Sequence, residues 1–365
     1  MSPFDVAWLA SAIALTAPLL IAALGELVLE RAGVINIGIE GLLVTGAFAG
    51  FAVAWVSDSV LLGVVAAIAA GILLALLMAG CVLVLGADQI VIGFGILIFA
   101  LGGTAFLNDV LFSGRGRVSV PAAALIEIPG LSSIPLIGQA LFRQTAFVYE
   151  AYLLVPVVAL LLAKTQLGLM IRATGESPAA VRAAGHSPEK LRTIAFVIAG
   201  GMGGLAGAVL SIGAVGVFNE GMTGGRGFLA LAAVAFAAWR TWWLLGACLF
   251  FGGIDALQLR LQALGYVPDT VWAVLALLMV LMLAVRVRTL VRQRRRGSAG
   301  PTRLPWLTTL LTVGALILWW TAPEIAIASQ FYLMLPYVAA LAVLAGLGGR
   351  IPAPAALAEP LPARV

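Results

Sequence analysis

The sequence predicts an all-α integral membrane protein of about ten transmembrane helices, with broken or re-entrant segments and a faint internal pseudo-repeat. Three observations predict it. The 365 residues are 62% hydrophobic and only 10% charged, where an ordinary soluble domain carries about a quarter charged residues. Mean hydropathy is +1.12. The basic residues fall in short clusters between long apolar runs, the pattern of the positive-inside rule rather than of a nucleic-acid surface.

Apolar stretches able to cross about 30 Å of hydrocarbon lie at 4–24, 40–56, 60–86, 89–107, 144–163, 194–214, 244–262, 270–290, 305–322 and 331–347, and a shorter run, 228–238, reads as a half-helix. Unpaired backbone amides are not tolerated in lipid, so stretches of this length form helices, and the alternating ten-residue strands of a β-barrel are absent. No Lys or Arg precedes the first stretch, so it reads as a retained span with an outside N-terminus rather than a cleavable signal. The loops 164–193 and 286–304 carry twelve of the twenty-one Lys and Arg and are read as cytoplasmic; 108–143 is then external. Residues 33–55 and 221–239 both pass from glycine-rich polar sequence into a small-residue apolar helix ending at Trp. That echo is either a remnant repeat, of the kind that marks a midplane pathway, or a coincidence in a chain with 42 glycines.

Several chemistries are excluded. A P-loop needs Gly-Lys-Ser/Thr, and neither Lys164 nor Lys190 follows a glycine. One histidine, His186, leaves no Ser-His-Asp triad and no His-rich metal site. Cys81 and Cys248 lie in apolar runs and read as small buried hydrophobes. Trp239, Trp242, Trp243, Trp319 and Trp320 read as an interfacial belt.

The stretch "GELVLERAGVINIGIEG" (25–41) places Glu26, Glu30, Arg31, Asn36 and Glu40 beside strongly apolar sequence. Ionisable groups at bilayer depth are costly unless they face water or a partner. Glu30 and Arg31 read equally as a surface cap or as path groups. Glu26, Asn36 and Glu40 are the candidates for a translocation path, with Asn219, Glu220 and Arg226 reading either as their counterparts in the second half or as an external rim that receives a binding protein. Glycines 33 and 38 favour a break there, with Asn36 satisfying freed backbone groups. Three functions accommodate such a segment: a permease driven by a partner, an ion-coupled secondary transporter, and a membrane enzyme using Glu26, Glu30 or Glu40 as acid or base.

The loop "RATGESPAAVRAAGHSPEKLRTIAF" (172–196) is the most patterned polar piece. Ser177-Pro178 fits a helix N-cap and first position, "AAVRAA" is strongly helix-forming, and Gly185 suits the residue after a helix end. Ser187-Pro188-Glu189 repeats the start signal. A loop that only sets topology has no use for two capped starts around a stop; a rigid docking element does.

The E-x-x-A-A-x-x-A-A-G run at 176–185 resembles the cytoplasmic coupling loop of bacterial ABC-importer permeases. Segments 25–41, "NEGMTGGRGFLALAAVAF" (219–236), "GGIDALQLRLQALG" (252–265), "MLPYVAALAVL" (334–344) and "APAALAEPLP" (353–362) resemble the nucleoside and simple-sugar permeases, which belong with the ribose and branched-chain amino acid permeases. Two features depart from that pattern: about sixty residues, 269–329, intervene with two extra spans, and Thr241 stands where relatives commonly carry proline. The resemblance implies a single permease domain over 1–365, located in the bacterial inner membrane, with no cofactor of its own. It implies three partners: an ABC ATPase that hydrolyses the ATP, a second permease subunit, identical or homologous, and an external substrate-binding protein. The ATPase would dock on Glu176, Ser177, Pro178, Ala180, Arg182, Ala184, Gly185, His186, Ser187 and Pro188. Nucleosides are the expected cargo, with ribose-type sugars or branched-chain amino acids as alternatives.

Overall fold

The first helix, α1 (Val6–Arg31), runs past the apolar stretch that suggested it and carries Glu26 and Glu30 inside its last turns. This is a computed structural model, and it describes residues 4–114, 118–121, 123–135, 137–295, 305–321, 329–347 and 353–359. After α1 the chain turns at Gly33, whose φ of +86° is the left-handed conformation glycine adopts without strain. It then runs back beside α1 in extended form: the Asn36 N–H donates to Glu26 Oε1 (3.0 Å). Helix α2 (Ile39–Ser57) therefore begins level with the interior of α1, not at its end.

Helices α3 (Val60–Ala79, continued as a π-turn to Val84) and α4 (Gln89–Phe112) follow. Ser59 and Asp88 cap them through hydrogen bonds to free first-turn amides. The polar stretch after α4 holds a short antiparallel pair, β1 (Leu125–Glu127) with β2 (Arg143–Thr145), bridged by helix α5 (Ile137–Phe142) and the Arg143–Glu127 ion pair. Helix α6 (Ala146–Lys164) leads into two short helices, α7 (Gln166–Glu176) and α8 (Pro178–Ala183). Helix α9 (Pro188–Ala208, with a π-helical end to Val215) is followed by α10 (Arg226–Phe236) and α11 (Thr241–Leu264). Helices α12 (Asp269–Arg295), α13 (Pro305–Thr321), α14 (Ser329–Tyr332) and α15 (Leu335–Leu347) complete the order.

Among the described residues, seven helices are long and apolar enough to cross a membrane: α1, α2, α3 with its π-turn, α4, α6, α9 and α11. Helix α10 is too short for that. Its C-terminal side meets α1 near Glu30 and its N-terminal side meets the start of α2, so residues 216–240 make a passage of their own, half of it helical. The ten apolar stretches read from the sequence would, without this passage, put loops 164–193 and 286–304 on opposite sides; counting it makes eleven and places both on one side.

By contact the chain forms two units. One comprises Leu9–Asp255 and Pro336–Val365; the other comprises Met1–Trp8 and Ala256–Leu335. In the second, α12 packs along α13, Leu261, Val267 and Tyr332 form a small core, and Arg260 pairs with Asp5 at 2.6 Å.

The larger unit is built around α2, α3 and α9, which touch through glycine. A Cβ added to Gly46 would lie 2.3 Å from the Gly204 carbonyl oxygen, one on Gly71 would lie 2.2 Å from the Gly200 carbonyl oxygen, and one on Gly204 would lie 2.1 Å from the Ala67 carbonyl oxygen. Between helices in lipid the hydrophobic effect contributes little, so close backbone approach and dispersion hold the triad together. Gly204→Leu cannot be absorbed by a rotamer change, since the α3 backbone at Ala67 and Ile68 stands in the way. Overpacking at such a contact costs about 1–3 kcal/mol or more; thermal unfolding in detergent will show Gly204→Leu melting well below the parent chain, and Gly80→Leu, which adds its side chain to open space, melting close to it.

Candidate functional site

Two groups of residues stand out: a polar core around the break between α1 and α2, and the short helices α7 and α8.

In the core, Glu26, Glu30, Asn36 and Glu40 are all at most 5% exposed. Asn36 donates its backbone N–H to the Glu26 carboxylate, and neither Glu26 Oε2 nor Asn36 Oδ1 has a partner among the described residues. Asn36 does not tie down the freed backbone, as its position suggested. Glu26 does so, together with Gln89, whose Oε1 accepts from the Ile35 N–H at 3.0 Å.

Glu40 stands at the N-terminus of α10. Its Oε1 accepts from the Gly225 N–H at 2.7 Å and its Oε2 from the Gly227 N–H at 2.6 Å. First-turn amides have no intrahelical acceptor, and they concentrate the positive end of the helix dipole. A helix that starts inside the protein needs an acidic side chain there, and one from 187 residues earlier supplies it. Gly227 admits that approach: a Cβ would sit 2.6 Å from the Glu40 nitrogen.

Beside it, Arg226 donates to Asp255 Oδ2 of α11 at 2.7 Å, and the Tyr337 hydroxyl of α15 donates to the Gly224 carbonyl. Three helices, α2, α11 and α15, thus converge on the terminus of the half-helix. Asp255 and Tyr337 were missed in the sequence; an acidic residue in an apolar helix was the available signal for Asp255. Asn219 is apart from this group, exposed in the turn before α10, with its carbonyl accepting from the Met222 N–H.

At the other end of α10, Trp239 is 9% exposed. Its indole N–H donates to Glu30 Oε2, and its carbonyl accepts from Arg31 Nε at 3.0 Å. The belt reading fails for Trp239, which locks α10 to α1, while Trp242, Trp243, Trp319 and Trp320 are all at least half exposed. Glu30 and Arg31, adjacent on one helix, do not pair with each other; they grip the same tryptophan from two sides.

In the second group, Ser177 Oγ accepts from the Ala180 N–H (3.3 Å) and Pro178 takes the first position of α8. Gly185 ends the helix at φ +81°, with its N–H on the Arg182 carbonyl and the His186 N–H on the Val181 carbonyl. Ser187 caps α9 through the Lys190 N–H and donates to Glu189 Oε2, and Glu189 holds Arg182 at 2.8 Å. Val181 and Pro188 face inward and are buried, whereas Glu176, Ser177, Ala180, Arg182, Ala184, Gly185 and His186 are exposed and Pro178 and Ser187 half-buried. The result is a single stiff turn of helix, anchored by one valine, with a bare alanine-rich outer face. Sequence reading placed no helix at α7, whose C-terminus joins α8 through Ser177: the Ser177 N–H donates to the Ala173 carbonyl at 2.8 Å.

A multi-pass helical core with a broken first pair, an internal half-helix and a rigid surface turn defines a membrane permease. Over residues 8–285 the chain matches the family described as branched-chain amino acid transport system / permease component, and it belongs to that family. It is a permease component of an ABC transport system and a multi-pass protein of the cell membrane. Among relatives, the "Putative glucose ABC transporter permease protein" of Haloferax volcanii is 40% identical over 255 residues, 69% of this chain and 76% of that protein. The guanosine ABC transporter permease protein of Bacillus subtilis is 36% identical over 260 residues, 67% of this chain and 79% of that one. The nucleoside ABC transporter permease protein of Lactococcus lactis is 30% identical over 249 residues, 64% and 76% of the two chains. No solved structure matches the chain.

Proposed function

We propose that this chain forms one half of the translocation path of an ATP-driven importer for nucleosides. It has no P-loop and no cofactor of its own, so the energy comes from a partner ATPase that docks on α8 at the cytoplasmic face. A second permease, identical or homologous, completes the path, and an external binding protein delivers the solute. Similarity to guanosine and nucleoside permeases supports the cargo.

The observation that carries the reading is the construction of α8. A helix of six residues cannot persist alone in water; here serine capping, a first-position proline and a left-handed glycine stop hold it, with its alanine face left open. Such a piece transmits a push without bending. Inside the membrane, the Glu40–α10 terminus and the Arg226–Asp255 pair balance their own charges, leaving a path suited to an uncharged solute that binds through hydroxyls and ring edges and is then released.

The similarity to a glucose permease favours a second cargo, a neutral sugar. Direct uptake separates the two. In cells whose other nucleoside and sugar carriers are deleted, labelled guanosine or adenosine will accumulate and labelled glucose will not; accumulation of glucose alone would assign the path to sugars.

A further inference from the structure

Outside both groups lies a short segment, 353–359, that touches both. The Ala356 N–H donates to the Gly175 carbonyl at 2.8 Å and the Ala355 N–H to Glu176 Oε2 at 3.5 Å, so the segment is fixed to the end of α7, next to the Ser177 cap of α8. Its middle is a closed turn, with the Leu357 N–H on the Pro354 carbonyl at 3.0 Å and Ala356 only 2% exposed. The Ala356 carbonyl also lies against Gly33, at the turn that opens the break after α1. At its far end the Glu359 carbonyl accepts from Gln89 Nε2 at 3.1 Å. The same Gln89 accepts from the Ile35 N–H through its other amide atom, and is 5% exposed. One side chain at the head of α4 thus bonds the strap with its amino group and the broken segment with its carbonyl.

We infer that residues 353–359 and Gln89 form a second coupling arm, which carries displacement of α7–α8 to the break at 32–38 and to the head of α4. Direct contact already joins α7 to the break, since a Cβ on Gly175 would lie 2.3 Å from the Arg31 carbonyl oxygen. The break also packs on α4 further along, where a Cβ on Gly93 would lie 3.0 Å from the Gly38 nitrogen, but neither contact hydrogen-bonds α7 to the head of α4. The strap closes the ring: α7 to Ala356, Ala356 through the turn to Glu359, Glu359 to Gln89, Gln89 to Ile35. Gln89 acts as a positioning residue, and its two hydrogen bonds make the three elements shift as one body. An amide is the group for this place because it donates and accepts at once.

The inference rests on the importer reading, and the test keeps the two apart. The intact complex of permease, ATPase and binding protein is placed in proteoliposomes, and ATP hydrolysed per nucleoside imported is measured. Gln89→Ala and deletion of 353–365 will each raise that ratio fivefold or more, the range of ordinary coupling energies, while the ATPase still co-purifies. Gln89→Glu keeps the acceptor for Ile35 but cannot donate to Glu359, and it will raise the ratio too. An unchanged ratio in Gln89→Ala or Gln89→Glu overturns the inference, as does a fall in yield and melting temperature with normal stoichiometry. A parent complex in which ATP hydrolysis drives no uptake sinks the importer reading instead.

Discussion

Glu40→Ala will abolish solute uptake and destabilise the protein, the largest effect expected of any single substitution in the core. The change strips the acceptors from the Gly225 and Gly227 amides inside the protein. Each buried amide left without a partner costs about 1–3 kcal/mol, and more in surroundings that exclude water. With two such groups lost at once, the N-terminus of α10 unwinds, and Arg226 and the Tyr337 contact, both anchored at that terminus, lose their positions. Glu40→Gln retains one good acceptor and will keep partial stability with reduced uptake. Thermal unfolding in detergent, run beside uptake in cells, measures both quantities. If Glu40→Ala melts like the parent and still transports, the half-helix does not depend on its distant cap.

Gly185→Pro will sever coupling while leaving the membrane core intact. Gly185 has a φ of +81°, which proline, fixed near −65°, cannot adopt. The substitution also removes the N–H that closes on the Arg182 carbonyl. The end of α8 unwinds, and with it the spacing between α8 and the Ser187 cap of α9. Little else is affected, because a side chain at 185 meets nothing within 4 Å. The expected result is therefore a folded permease with a near-parent melting temperature, from which the ATPase no longer co-purifies and in which uptake is lost. Gly185→Asn supplies the control: asparagine tolerates the left-handed region and will keep most activity. Loss of uptake with the ATPase still bound would move the docking surface elsewhere.

Both substitutions show what a linear sequence discloses. The α8 unit was legible because every part of it is local: the cap, the proline, the alanines and the glycine stop lie within nine residues, and capping is short-range chemistry. The half-helix was legible for the same reason, since a short apolar run bounded by glycine cannot cross lipid. What holds the half-helix was not. Glu40 reaches Gly227 across 187 positions and Glu30 reaches Trp239 across 209, and no spacing rule links residues so distant. Sequence showed that acidic groups at bilayer depth needed partners; only the fold shows that backbone amides and an indole provide them. Asn36 illustrates the opposite failure. Its position between glycines suggested a side chain repairing the break, yet Glu26 and Gln89 do that work and its side-chain Oδ1 has no partner among the described residues. Segment 353–362 stood out in the sequence only by its family resemblance; its contacts were not legible, because it bonds through its backbone.

The account as a whole turns on where the force comes from. The most direct measurement is uptake of labelled nucleoside into proteoliposomes holding this permease with its second permease subunit and binding protein, with and without the ATPase and ATP, under imposed proton and sodium gradients. Accumulation only when ATPase and ATP are both present is the predicted result. Accumulation by the permease on an ion gradient, with no ATPase in the membrane, would contradict it.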